Sequence, residues 1–117
     1  MSEVWPLEGI NWHLKADFHF LTLEQGGDVS TSIYTRQKLL LQVRYHTFQS
    51  GHLNSSLWSV AIHFDTDQNW IFPGECVPCY LSFPAFEVQN SVWKIGMEFF
   101  VVDFRYRIAS CIVTEVI

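Results

Sequence analysis

The chain has 117 residues, of which 49% are hydrophobic and only 16% are charged. A composition this apolar excludes a disordered tail, because disordered segments combine low hydrophobicity with high charge. The 10 Phe, 5 Trp and 4 Tyr must therefore fill much of a folded core. With 7 Lys and Arg against 12 Asp and Glu, the formal net charge of −5 argues against a protein whose main task is to neutralise nucleic-acid phosphates.

Length and local composition indicate one domain in a reducing compartment. No apolar run approaches the roughly 18 residues of a membrane helix. The first residues lack the basic and apolar regions of a secretory signal. Three cysteines cannot all pair with one another, which fits a reducing environment. We therefore expect a cytoplasmic protein that does not contact a membrane.

Apolar side chains recur at every second position, the pattern of a half-buried strand. Four regions have it: residues 17–23, 39–46, 58–65 and 97–117. The last region is long enough for two strands that meet near residues 103–107. Residues rich in Gly, Pro, Asn and Asp separate the regions, and no stretch has the apolar spacing of a helix. The pattern predicts a single all-β sandwich or barrel over residues 15–117, preceded by an arm over residues 1–14.

Three blocks, in this order along the chain, resemble the C-terminal β-barrel (domain 3) of translation elongation factor Tu. The first is Lys15 to Gly27, which ends in a Glu-x-Gly-Gly turn. The second is Phe72-Pro73-Gly74-Glu75, followed by a strand and Pro84. The third is Gly96-Met97-Glu98-Phe99 and, after a turn, Ile108 to Val116.

The resemblance implies an antiparallel barrel of about six strands with no catalytic centre of its own. In the elongation factor the GTPase chemistry belongs to another domain, and no GxxxxGK[ST] phosphate loop occurs in this chain. We therefore expect a protein that is not an enzyme, with no catalytic residues, no cofactor and no metal.

The departures from the family concern its contacts with aminoacyl-tRNA. In the family an Arg follows the Gly-Gly turn, whereas Asp28 stands there in this chain. The family's last hairpin carries Arg-Glu-Gly-Gly-Arg, and its two arginines align with Val102 and Tyr106, while Arg105 and Arg107 lie one position away. A shift of one residue in a strand turns a side chain to the opposite face, so the tRNA contacts are not carried over.

Cysteines and histidines offer weaker candidates for chemistry. Cys76-Val77-Pro78-Cys79 is a C-x-x-C, but within a strand its thiols point to opposite faces. We expect buried or half-buried thiols there, and Cys111 in the core. The five histidines are His13, His19, His46, His52 and His63. Three of them (19, 46 and 63), with Asp65 or Asp67, are an alternative metal site only if the barrel gathers them.

Aromatic and basic side chains supply the candidate partner-binding residues. Trp70 directly follows the polar stretch 65–69, which makes it the best candidate for an exposed anchor. Cations alternate with aromatics elsewhere, a mixture that also suits single-stranded RNA. The candidates are Trp70, Tyr34, Arg36, Arg44, Arg105 and Arg107.

The sequence thus favours a non-enzymatic binding module that acts through protein–protein interaction. Its partner is expected in the translation machinery, or is a toxin or nuclease that an immunity-type protein inhibits, because an acidic surface complements a basic active site. The alternative is an RNA- or tRNA-binding module, which the net charge of −5 disfavours. An enzyme, or a protein that works through a thiol or a bound metal, is the third hypothesis.

Overall fold

The structure is a computed structural model that describes residues 11–29, 31–36, 39–49, 52–84, 93–103 and 106–117, with the backbone alone at residues 39, 45–49 and 52–56. The described residues form eight strands and no helix. The strands are β1 (Leu14–Phe20), β2 (Ile33–Tyr34), β3 (Leu39–Gln49), β4 (His52–Phe64), β5 (Trp70–Ile71), β6 (Cys76–Ser82), β7 (Glu98–Asp103) and β8 (Tyr106–Val116).

Six of these strands close into an antiparallel barrel in the order β1-β6-β4-β3-β7-β8. Strand β1 closes the barrel because it pairs with β6 on one side and with β8 on the other. The remaining strands, β2 and β5, form a separate two-stranded sheet. The prediction of a single all-β barrel is confirmed. Among the described residues, no helix has the length and apolar character that crossing a membrane requires.

The barrel interior is filled by the apolar members of the alternating pattern. In β4, Val60, Ile62 and Phe64 are buried while Ser59 is exposed, as the alternation predicts. Phenylalanines supply much of the filling. The rings of Phe18 and Phe64, for example, meet edge to face with 4.9 Å between centroids.

Strands β1, β3 and β4 depart from the sequence-based bounds: β3 continues to Gln49, and β4 begins at His52 rather than Trp58. Strand β1 begins at Leu14 and ends at Phe20, three residues before the predicted end, because the chain then enters a turn. Gly26 has a φ of 94° in that turn, a conformation that disfavours any side chain. The last region is confirmed as two strands, β7 and β8.

Strand β8 contains a β-bulge that breaks the alternation. Val101 pairs with Ala109 and Val102 with Arg107, so Ile108 is the extra residue. Ile108 and Ala109 are consecutive and both buried. On the opposite strand Val101 and Val102 are also both buried. Strict alternation therefore does not predict which face each arginine of this hairpin occupies.

Most long connections gather at one end of the barrel. Strands β1, β4 and β7 finish there, and β3, β6 and β8 begin there. We call this the loop end, meaning residues 21–29, 31–36 and 65–75 with Asp103 and Tyr106.

The opposite end holds the start of the described chain. The His13 N–H donates to Leu81 O at 2.8 Å, and the Ile117 N–H donates to His13 O at 2.9 Å. The Ser82 hydroxyl donates to Asn11 O at 2.8 Å. Residues 11–13 therefore join the barrel wall, while the rest of the predicted arm, residues 1–10, lies outside the described residues.

Candidate partner-binding surface

Tyr34 and Trp70, predicted separately as contact residues, are neighbours at the loop end. They face each other across the β2–β5 sheet, and their ring centroids are 5.0 Å apart with a 56° angle between planes. Tyr34 is 37% exposed and Trp70 is 48% exposed. The sheet that carries them is anchored by Ile71, which is fully buried. The pair thus presents two aromatic rings to solvent from a fixed base.

Hydrogen bonds hold the segment around Trp70. The Thr35 hydroxyl donates to Gln68 O at 2.6 Å, and the Thr35 N–H donates to Asn69 O at 2.9 Å. Glu75 accepts from the Phe72 N–H at 2.8 Å and from Gln68 Nε2 at 3.1 Å. These bonds hold the loop in place on both sides of Trp70. The ring is therefore exposed on a segment that is firmly attached to the barrel.

Other large apolar side chains are exposed at the same end. Single exposed apolar residues are ordinary, but a group of them on one surface indicates an interaction site. The exposed large apolar side chains described at the loop end are Leu23, Tyr34, Trp70, Phe72 and Tyr106. Leu23, Phe72 and Tyr106 are not among the contact residues predicted from the sequence, and for Leu23 and Phe72 the sequence carries a signal. Both lie in or beside the turns that contain Gly26 and Gly74, outside the strands that fill the core, and that position is the signal that would have found them.

Carboxylates dominate the charge of the stretch that carries Trp70. Residues 65–75 contain Asp65, Asp67 and Glu75 and no lysine or arginine. Asp65 Oδ2 lies 3.7 Å from Lys15 Nζ, whereas Asp67 is exposed. A surface of aromatic rings beside carboxylates is complementary to a basic partner.

The predicted arginines do not form one cluster with Trp70. Arg36 is half-buried in the turn after β2. Arg44 and Arg107 lie around Phe100: Arg44 is opposite Phe100 in the β3–β7 pairing, and Arg107 Cζ is 4.2 Å from the centre of its ring. Arg107 also borders the loop end, where its Nη1 is 3.8 Å from the position of a Cβ on Gly26. Arg105 lies outside the described residues.

The thiols are placed as the strand argument predicts, with one correction. Cys76 and Cys79 point to opposite faces of β6, and Cys79 and Cys111 are fully buried. Burial raises the pKa of both core thiols, which keeps them protonated. Cys76, however, is exposed, so the expectation of a buried or half-buried thiol is wrong there: Cys76 opens β6 on its outer face.

Histidine 19 lies in an outer-surface groove of about 380 Å³, which Asp17, Cys76 and Ser110 also line. His19 Nε2 is 3.0 Å from Gln25 Oε1, which also accepts from the Thr22 N–H at 3.0 Å. Because Oε1 can only accept, His19 carries its proton on Nε2.

The histidines are not gathered into a common site in the part of the chain that the structure describes. No three His, Cys, Asp or Glu side chains described there are placed to hold a metal ion together. His63 lies on the outer face of β4 beside Tyr80, away from the His19 groove. The side chains of His46 and His52 lie outside the described residues.

Comparison with known proteins adds no identification. No protein-family model matches this chain, and no curated protein sequence matches it. The resemblance to elongation factor Tu domain 3 therefore remains a prediction that rests on the three sequence blocks.

Proposed function

We propose that the protein is a non-enzymatic, cytoplasmic binding module, similar to elongation factor Tu domain 3, that acts through protein–protein interaction at its loop end. The observation that carries the proposal is the Tyr34–Trp70 pair, exposed on a hydrogen-bonded base. Trp and Tyr dominate interface hot spots because they bury a large area at low cost in conformational entropy.

The negative charge beside Trp70 indicates which class of protein partner fits this surface. Asp65, Asp67 and Glu75 accompany Trp70, and the whole chain carries a net charge of −5. Complementary charge accelerates association and selects against acidic partners. A basic protein therefore fits best: a component of the translation machinery, or a toxin or nuclease that an immunity-type protein inhibits by covering a basic active site.

An RNA- or tRNA-binding module is the second candidate. The contact of Arg107 with Phe100 favours it, because a guanidinium and an aromatic ring are the groups that clamp single strands. The carboxylates and the net charge oppose it.

Capture of partners from nuclease-treated lysate tests the first candidate. The tagged protein should retain a defined basic protein, and Trp70→Ala should release it. Because Trp70 is half exposed, we expect this variant to lose at most about 1 kcal/mol of stability. Ile95→Ala is the control, since Ile95 is 72% exposed at the opposite end of the barrel. Recovery of nuclease-sensitive material alone would contradict the proposal.

Salt dependence tests the second candidate. Affinity for tRNA should fall steeply with increasing salt if phosphates are neutralised. Absence of tRNA binding at low salt would eliminate the RNA-binding candidate.

A further inference from the structure

The outer surface of β3, β7 and β8 carries two arginines around one aromatic ring. Arg44 is directly opposite Phe100 in the pairing of β3 with β7, and Phe100 is opposite Ser110 in β8. Arg107 reaches over the same ring, with its Cζ 4.2 Å from the ring centre. We call Arg44, Phe100 and Arg107 the arginine face. Arg44 and Phe100 lie on the side of the barrel, while Arg107 lies beside the Gly26 turn of the loop end, its Nη1 3.8 Å from the position of a Cβ on Gly26.

The guanidinium groups of the arginine face have no carboxylate partner among the described residues. The one ion pair in the described chain joins Lys15 and Asp65. Asp28 lies near Arg107, but its Oδ2 accepts from the Arg107 backbone N–H at 2.8 Å. Neither guanidinium therefore forms an ion pair with a carboxylate in the described part of the chain.

Arg44 supplies a second, independent indication of a ligand. Its Nε is buried and has no hydrogen-bond partner. A buried donor without an acceptor has lost its hydrogen bond to water and has formed no other. Such donors are rare in folded proteins unless a ligand or a bound water accepts from them. An oxygen acceptor beside Arg44 would satisfy this donor.

We propose that the arginine face binds a phosphate monoester or free phosphate as a dianion. A carboxylate offers two oxygens, which a single guanidinium already satisfies in a bidentate pair. A phosphoryl group offers three strong acceptor oxygens and up to two negative charges, so both arginines contribute. A phosphodiester carries one charge and matches the pair less well. This site goes beyond the protein partner proposed for the loop end.

The geometry allows both arginines to reach one ligand. Their strands, β3 and β8, flank β7, so the two backbones are roughly 10 Å apart across the sheet. The Arg107 guanidinium lies over the Phe100 ring, and Arg44 stands directly opposite Phe100 on the outer face of β3, so both arginines border the same aromatic side chain. A phosphoryl group bound beside this ring, next to the Arg107 guanidinium, would accept from both arginines.

Calorimetric titration and thermal shift test the site, with glycerol phosphate and inorganic phosphate as probes at constant ionic strength. At about pH 8 the monoester is dianionic. We expect saturable binding and a rise in melting temperature relative to chloride. Arg44→Gln and Arg107→Gln should each weaken binding by about tenfold or more. Arg44→Lys should also weaken it, because lysine keeps the charge and loses the bidentate fork.

Lys94→Gln is the matched control, since it removes one exposed positive charge at the opposite end of the barrel. It should bind phosphate as the wild-type protein does. If Arg44→Gln fails to fold, the phosphate affinity of Arg107→Gln decides whether the proposal holds, because Arg107 is exposed and its substitution should not affect folding. Unchanged affinity in Arg107→Gln, an equal loss in Lys94→Gln, or equal affinity for dimethyl phosphate would each overturn the proposal. Trp70→Ala should leave phosphate affinity unchanged, which separates this site from the Tyr34–Trp70 pair.

Discussion

Gly27 is confined by the backbone of Leu21. A Cβ on Gly27 would lie 2.6 Å from Leu21 O and 2.9 Å from Leu21 Cβ, closer than real side chains approach. Because the obstructing atoms include backbone, the turn must shift to admit a methyl group. We expect Gly27→Ala to lower the free energy of unfolding by about 3 kcal/mol, measured by urea denaturation.

Gly96→Ala separates crowding from backbone strain. Gly96 has a φ of 87°, and nothing lies within 4 Å of a Cβ built on it. Its substitution should cost only the conformational penalty, about 1 kcal/mol. If Gly27→Ala and Gly96→Ala lowered the free energy of unfolding equally, contact with Leu21 would not explain the destabilisation at Gly27.

The three thiols should differ sharply in reactivity. Cys76 is exposed, whereas Cys79 and Cys111 are fully buried. A thiol reagent should therefore modify one cysteine in the native protein and all three after unfolding. Burial and the nearby Asp17 raise the pKa of Cys76, so at neutral pH its reaction should be slower than that of free cysteine. Native modification that persists in Cys76→Ser would show that the core opens.

At the scale of an element, residues 11–13 attach to the barrel through two histidines. His13 Nδ1 accepts from the Phe83 N–H at 3.0 Å, and the rings of His63, Trp12 and Tyr80 pack against one another with centroids 5.9 to 6.4 Å apart. Burial lowers the pKa of both histidines. For His63, Asp65 partly opposes this shift and Arg36 adds to it. Protonation of either histidine is therefore disfavoured in the folded state.

This attachment predicts a pH dependence of stability. The folded pKa of each histidine lies below the unfolded value of about 6.5, so the unfolded chain takes up protons first as the pH falls. The free energy of unfolding should decrease as the pH falls from about 7 through 6.5, towards the folded pKa values. Denaturation of a His13→Gln, His63→Gln double variant over this range should give a shallower slope. A slope identical to that of the wild-type protein would mean that His13 and His63 are not the source of the pH dependence.

Elements also show what sequence pattern could and could not predict. The Pro73-Gly74 block predicted the strand β6, in which Cys76 and Cys79 face opposite ways. Alternation located the second half of β4, because burial on one face repeats at every second residue. It could not pair Tyr34 with Trp70, since a two-residue sheet has no periodicity and its strands are far apart in the chain. Nor could it place Arg107 over Phe100, because the bulge at Ile108 changes the register there.

At the scale of the whole molecule, the barrel closes through residues from the two ends of the described chain. Leu14 pairs with Val116, and every barrel strand has two barrel neighbours. Such non-local pairing costs loop-closure entropy before the hydrogen bonds and apolar contacts between the strands have formed. We expect refolding in milliseconds to seconds, slower than for a helical protein of this size, as measured by stopped-flow Trp fluorescence. Refolding in microseconds would be inconsistent with barrel closure in the rate-limiting step.

The hydrogen bond between His13 and Ile117 has a consequence for chain connectivity. Because β1 begins beside the end of β8, on the side opposite the loop end, a short linker could join the two positions without crossing the barrel. Circular permutation, or insertion of the whole barrel into a host protein, should then leave the fold intact. Both connections to the host would leave from one side, and Trp70 would face away from it.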